Sequence, residues 1–257
     1  MSSSFITTIR DSILILLFEM LGTMLLAMVY NTALMFHDVC GFMMCFYSLL
    51  VLGAKISGSH YNPAITLAFM LRSDTGKFSR VLGIAYWIFQ FGGAILGALL
   101  AWFFTYSILD VSISDPKYIP AAIVTETLGT VLLAFLYLTQ TEESTKLSKD
   151  PAISTLIIAA CYTGAIYMVS PPNVATVATL NPALGLAIPL VNTFNGNGAS
   201  FKWFWIYTAI PFVGALVAVI FHEFVYKKIQ ENIDEVEHQD NEGGMLDRNQ
   251  VNTYDDD

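Results

Sequence analysis

Charge is what this sequence has least of. Asp, Glu, Lys and Arg make up 13% of its 257 residues, against roughly 25% in soluble domains. Helices of a soluble protein need polar faces toward water. The long stretches here lack them, which excludes an ordinary soluble globular domain. Cysteine is scarce too. Cys40, Cys45 and Cys161 form neither a metal-ligand spacing nor a disulfide framework. The four histidines, His37, His60, His222 and His238, are scattered. His222-Glu223 lacks the second histidine of a zinc-protease helix motif and carries no catalytic weight. There is no Asn-x-Ser/Thr sequon, no phosphate-cradling glycine loop and no catalytic triad pattern. The expectation is therefore no enzyme, no cofactor, no metal and no nucleic-acid partner.

What the chain has is hydrophobicity, at 55% of residues. Runs almost free of charge cover about 13–36, 39–54, 81–109, 119–141, 151–173 and 203–226. Each approaches or exceeds the ~20 residues that cross a bilayer core, so six transmembrane helices are expected. The first run is too long for a signal h-region and has no small-residue cleavage site after it, so it is expected to stay. Lys and Arg favour alternate connections: Lys55, Arg72, Lys77 and Arg80 in one, Lys146 and Lys149 in another. Arg10 precedes the first run, and Lys227 and Lys228 follow the last. By the positive-inside rule both termini face the cytoplasm, in the plasma membrane or an organelle membrane.

The net charge of −9 belongs to one segment. Residues 229–257 hold ten acids and one base, Arg248, so the remainder is neutral. The expected organisation is a cytoplasmic N-terminus over 1–12, a membrane domain over 13–227 and an acidic cytoplasmic tail over 228–257. A solvated tail and a docking site for a cytoplasmic partner both fit that composition.

The membrane domain contains a repeat. "FEMLGTMLLA" (18–27) and "TETLGTVLLA" (125–134) agree at seven of ten positions, Glu19/Glu126 and Gly22/Gly129 among them. Asn62-Pro63-Ala64 returns as Asn181-Pro182-Ala183. Two units follow, about 13–109 and 119–227, each with three spans and an Asn-Pro-Ala segment between its second and third. Three is odd, so the second unit enters the membrane from the opposite side. Each triplet precedes apolar helix-forming residues, "ITLAFML" and "LGLAIPL". Asn is a preferred helix cap and Pro a preferred first helical residue. Two half-helices of about ten residues each rise ~15 Å and meet at the midplane of a ~30 Å core. Their cap oxygens serve their own helices, which leaves the side-chain N–H₂ groups to donate into a pore. Non-helical backbone at that depth must be buried in protein or line a water-filled cavity.

At this point the chain resembles the aquaporins, the major intrinsic protein family, over roughly residues 13–227. "SGSHYNPA" (57–64), "LNPA" (180–183), the paired Glu-x-x-Gly-Thr units, Gln90 with "GGAILGA" (92–98) and "PFVGALVAV" (211–219) carry the resemblance. It implies an all-α fold of six transmembrane helices plus two re-entrant half-helices. It implies a homotetramer in a lipid bilayer, each subunit with its own pore for water or small uncharged solutes such as glycerol, urea or ammonia. Asn62 and Asn181 become pore residues, His60 a lining residue on the cytoplasmic side, and Glu19 and Glu126 internal acids that support the re-entrant loops. A buried acid in a membrane helix also suits a proton-coupled transporter. Gly93-x-x-x-Gly97 and Gly214-x-x-x-Ala218 offer small faces for close helix contact.

One departure is sharp. Most family members place Arg after the second Asn-Pro-Ala, and this chain has Leu184. Counting family offsets from the asparagines without gaps gives a constriction of Phe42, Val169, Ala178 and Leu184. That filter has lost its fixed positive charge and its donors. Carbonyls of the 173–180 loop remain as acceptors. The Asp of glycerol-conducting members is absent as well, since Gly185 follows Leu184. Three functions stay open: a passive pore, a poorly conducting member acting as a structural or accessory membrane subunit, and an ion channel or coupled transporter.

Overall fold

The computed structural model describes residues 2–73, 78–170 and 177–233, with side chains from Ser12 onward. Its described residues contain no strand. The helices are α1 (Ser2–Met35), α2 (Val39–Gly53), α3 (Pro63–Leu71), α4 (Arg80–Thr105), α5 (Ile119–Thr141), α6 (Pro151–Met168), α7 (Pro182–Phe194) and α8 (Phe204–Phe221). A π-helical turn, His222–Tyr226, prolongs α8, and helix continues to residue 233. The rest of the acidic tail lies outside the described residues. The six expected spans correspond to α1, α2, α4, α5, α6 and α8, and the two Asn-Pro-Ala segments open α3 and α7.

Three spans differ in length from the apolar runs, two of them for a local reason. α1 begins at Ser2, well before the apolar run starts at 13. α4 stops at Thr105 because Tyr106 adopts a left-handed conformation, φ 52°. α6 stops at Met168, shortly before Pro171-Pro172, and the residue before a proline is pushed out of the helical region. α2 has 15 residues, a rise of about 22 Å. It is the shortest of the six, and five helical segments are long and apolar enough to cross a membrane alone.

The repeat is visible in the packing. α1 lies along α4, and α5 lies along α8, the equivalent pair of the second unit. Glycine permits the first contact: a Cβ on Gly93 would sit 2.3 Å from the Met20 carbonyl oxygen, and one on Gly97 2.0 Å from that of Met24. Backbones touch there, the close approach that small residues allow between helices in lipid. At Gly214 a Cβ would meet the Thr127 carbonyl oxygen of α5 at 2.7 Å.

Polar contacts at the helix ends fix which face each half-helix enters from. Arg72, just past α3, donates to Thr141 at the end of α5, and Ser73 reaches Glu223 after α8. At the other end Trp102 of α4 donates to Asn195 after α7 at 3.1 Å, and Asn31 of α1 accepts from the Leu109 N–H at 2.7 Å. α3 and α7 therefore enter from opposite faces. Below, the face holding the ends of α3, α5 and α8 is the terminal face. The perimeter is apolar, with Ile84, Ile88, Phe103, Val124, Leu128 and Ile220 exposed. So wide an apolar rim is tolerated in lipid and not in water. The protein is an integral membrane protein.

Candidate functional site

The two half-helices begin alike. Asn62 and Asn181 are extended, and each side-chain Oδ1 accepts from the N–H two residues on, Ala64 at 2.9 Å and Ala183 at 3.0 Å. Pro follows at the first helical position in both, where the missing N–H costs nothing. Both asparagines are buried. Their amides are less free than the sequence suggests. Asn62 Nδ2 donates to the Leu180 carbonyl at 2.9 Å, and Asn181 Nδ2 donates to the Tyr61 carbonyl at 3.0 Å. The two loops are thus clasped head to head, and each amide keeps one N–H for another acceptor. Two helix N-termini converge at this clasp with their partial positive charge.

The residue before each Asn makes the clasp possible. Tyr61 and Leu180 are left-handed, at φ 48° and 52°, a conformation of order 1–3 kcal/mol for residues with a side chain. The reversal sends their carbonyls to the opposite Asn and their N–H groups the other way, to a carboxylate. Glu19 accepts from the N–H groups of His60 (3.0 Å) and Tyr61 (2.8 Å), and from Ser57 and Gln90. Glu126 accepts from those of Thr179 (2.7 Å) and Leu180 (2.9 Å). A buried acid that takes several hydrogen bonds holds a strained turn in place. The glycine one turn later makes room: a Cβ on Gly22 would strike the Tyr61 ring at 2.0 Å, and one on Gly129 the Leu180 side chain at 2.5 Å.

A second pair of supports was not singled out in the sequence. Tyr30 of α1 donates to the Ala178 carbonyl at 2.7 Å, and Tyr137 of α5 donates to the Ser59 carbonyl at 2.6 Å. Each acceptor lies three residues before its Asn. The tyrosines cross over, each repeat holding the other repeat's loop, while the glutamates hold their own. The signal was available: extending the 107-residue offset past the matched decapeptides pairs Tyr30 with Tyr137 and Thr32 with Thr139.

The four constriction candidates come from α2, the end of α6, the stretch before Asn181 and the first turn of α7. Phe42 is fully buried and packs edge-on against Tyr30 and Tyr162, with centroids 5.9 and 5.6 Å apart, and in parallel with Phe46. Val169 is the C-cap of α6, beside Gly129 and Leu180. Tyr162, two turns earlier on α6, is the residue that reaches Phe42. Leu184 is fully buried in the first turn of α7. Ala178 is buried, with its carbonyl taken by Tyr30. The next two carbonyls are also engaged, Thr179 by the Tyr162 hydroxyl at 2.8 Å and Leu180 by Asn62. The loop's acceptors at 178–180 therefore each retain one lone pair rather than two. Residues 171–176 lie outside the described residues.

On the terminal side, a cavity of about 400 Å³ opens between α2, α3, α5 and α6, lined by Lys55, Gly58, Ser59, Phe69, Tyr137 and Gln140 among others. Deeper lies a pocket of about 10 Å³ bounded by His60, Asn62, Tyr137, Tyr162, Phe46 and Leu133. That is about the smallest volume that admits one water. Tyr137 borders both. His60 sits between them, 3% exposed, its Nδ1 3.2 Å from Thr66 Oγ1 and its ring against Phe69, Phe78, Tyr86 and Tyr137. The arrangement is a wide pocket followed by a one-water neck beside Asn62, and nothing in it suits covalent chemistry. The only cluster of potential metal ligands among the described residues, Glu142, His222 and Glu223, lies apart from it.

Comparison with known proteins agrees with this geometry. Probable aquaporin PIP2-5 of Arabidopsis thaliana is 29% identical over 190 residues, covering 70% of this chain and 63% of that protein. Aquaporin PIP2-4 of Oryza sativa subsp. japonica is 29% identical over 192 residues, with the same coverage. The alignments thus span about 63% of the length of these curated relatives. The X-ray structure of the aquaglyceroporin from Plasmodium falciparum matches with a TM-score of 0.72 at 19% identity, covering 86% of this chain and 99% of that one, a likeness of fold. Residues 3–222 match the family described as major intrinsic protein. With that match across most of its length, the chain belongs to the major intrinsic protein family.

Proposed function

We propose that this chain is a passive transmembrane channel for water and small uncharged solutes, glycerol, urea and ammonia being the candidates. The observation that carries the reading is the reciprocal clasp, Asn62 to Leu180 and Asn181 to Tyr61, at the meeting point of two half-helices from opposite faces. Each amide carries a second N–H beyond the clasp; that of Asn181 has the Tyr162 hydroxyl beside it, and that of Asn62 borders the one-water neck. Strained non-helical backbone of this kind persists at membrane depth where it is buried in protein or lines a water-filled cavity, and the pocket beside Asn62 fits the second case. The lumen residues are Phe42, Tyr162 and Leu184 at the narrow part, with His60 toward the terminal face. Glu19 and Glu126 act as fixed supports of the loops. Both termini face the cytoplasm, and the protein works as a homotetramer of independent pores.

The tightness of the neck favours a second reading, in which the chain conducts little and acts as a structural or accessory subunit. About 10 Å³ beside Asn62 admits at most one water at rest. Stopped-flow light scattering of proteoliposomes separates the two. A channel shrinks vesicles several-fold faster than protein-free liposomes under an impermeant osmolyte, with a low activation energy. Protein that is folded and tetrameric in the same vesicles, yet shrinks them at the lipid rate for water and for glycerol, establishes the accessory role.

A further inference from the structure

The end of α8 carries a cluster that a solute channel does not use. Glu142 follows α5, and His222 and Glu223 open the π-helical turn after α8. His222 is fully buried and Glu142 is 6% exposed. Such π turns are frequent at functional sites. Almost every polar atom of the cluster has a partner. Glu142 Oε1 takes the Lys227 ammonium and the Ser144 hydroxyl. Glu223 Oε2 takes Ser73, and its Oε1 lies 3.2 Å from His222 Nδ1. Two atoms are left, His222 Nε2 and Glu142 Oε2. Both are buried without a hydrogen-bond partner, and they face each other at 3.6 Å.

The tautomer follows from the neighbours. An ionised carboxylate only accepts, so the Nδ1 facing Glu223 carries the ring hydrogen. Nε2 then presents a lone pair to the lone pairs of Glu142 Oε2. Two acceptors in contact in a dry site repel unless a cation lies between them. A proton on Nε2 is one answer, which at 3.6 Å makes an ion pair and not a hydrogen bond. A tetrahedral ion bound at ~2.0–2.1 Å to each atom holds them about 3.3–3.4 Å apart, close to the distance found. A histidine whose second nitrogen donates to a carboxylate is also the usual form of a metal-ligating imidazole.

We propose that His222 Nε2 and Glu142 Oε2 bind a divalent transition-metal ion of the zinc class, with Glu223 orienting the imidazole and water completing the shell. The three side chains each offer a ligand atom, all within 4.8 Å of one another. The ring is held by Phe135 and Tyr226, at centroid distances of 6.2 and 6.3 Å. Lys227 pairs with Glu142 Oε1, and the cluster sets two carboxylates beside one imidazole. The ion ties the end of α5 to the end of α8. It thereby fixes the segment after Glu142, where Glu143, Lys146 and Ser148 border the 400 Å³ cavity.

The test uses purified full-length protein in detergent, with Cys40 and Cys45 changed to Ser so that exposed thiols do not compete. Co²⁺ is the spectroscopic probe. Expected is a saturable visible band of tetrahedral type at one equivalent per chain, displaced by Zn²⁺. His222→Gln and Glu142→Gln weaken it at least tenfold, while His37→Gln and His238→Gln leave it. His222→Cys keeps the ion and adds a near-ultraviolet thiolate-to-cobalt band, a readout that a merely structural role would not give. The proposal is overturned if wild-type protein shows no saturable band, or if folded His222→Gln binds Co²⁺ as wild type does. It is equally overturned if the thermal midpoint of wild-type protein follows pH while ignoring Zn²⁺ at fixed pH, since the cluster then holds a proton alone.

Discussion

Leu184 stands in the first turn of α7, fully buried, where most members of the family carry Arg. A water molecule in a narrow tube must replace the hydrogen bonds it leaves behind. Arg offers up to five donors for that purpose and Leu none. The acceptor side is also reduced, because the carbonyls of Ala178, Thr179 and Leu180 already serve Tyr30, Tyr162 and Asn62. A solute with a carbon edge suffers less, since it slides along Phe42, Tyr162 and Leu184. Leu184→Arg is therefore expected to lower glycerol permeability more than water permeability in paired stopped-flow measurements on proteoliposomes. An unchanged or higher glycerol-to-water ratio would place Leu184 away from the constriction. Tyr162→Ala should raise that ratio by opening the lumen beside Phe42, whereas Val169→Ala should leave it alone; the reverse pattern would return α6's lining role to Val169. Counting from the asparagine without gaps selects Val169, and residue offsets carry no information about loop length. Tyr162, two turns before Val169, is an α6 residue whose ring packs on Phe42. Asn62 and Asn181 were legible as a repeated triplet and Glu19 and Glu126 as a repeated decapeptide, and Tyr30 and Tyr137 recur at the offset of the glutamates.

At the level of elements, each half-helix depends on its cap, its acid and its tyrosine. Replacing Asn181 with Ala removes an N-cap of about 0.5–2 kcal/mol and also orphans the Tyr61 carbonyl. Asn62→Ala does the same to Leu180. Both variants should melt lower in detergent and conduct less per chain. Full stability with undiminished permeability in both would make these ordinary helix starts. The tyrosines give a separate handle. Tyr30→Phe and Tyr137→Phe delete one hydroxyl each and leave the Ala178 and Ser59 carbonyls short of a donor, a loss of about 1–3 kcal/mol for a buried group. They sit in opposite halves, so their effects should add in the double variant. Wild-type melting in both single variants would sink the idea that they hold the loops. Helix pairing was readable only in part. The Gly93/Gly97 face announces a close neighbour, but which helix supplies the Met20 and Met24 carbonyls depends on how six spans are arranged around the clasp, and no local pattern encodes that.

Across the whole molecule the inverted repeat produces one electrostatic consequence. α3 and α7 enter from opposite faces, so their dipoles point head to head and both positive ends lie at the midplane. An ideal helix N-terminus carries roughly half a unit of positive charge, and two such ends in a low-dielectric neck oppose a cation from either side. The two buried carboxylates do not cancel this barrier, because Glu19 and Glu126 are committed to loop N–H groups behind the turns rather than to the lumen. The same commitment argues against a proton-coupled cycle, since loading either acid would release two backbone donors of a strained turn. Loss of the family's Arg removes one contribution to charge exclusion and leaves the dipoles intact. Leu184 should thus alter which neutral molecules pass while protons and sodium stay excluded. In planar bilayers, and in proteoliposomes with a trapped pH dye, the wild-type chain is expected to show no current and no proton leak above protein-free membrane at a density that conducts water. A cation current that Asn62→Ala or Asn181→Ala abolishes would show that the paired half-helices form an ion path.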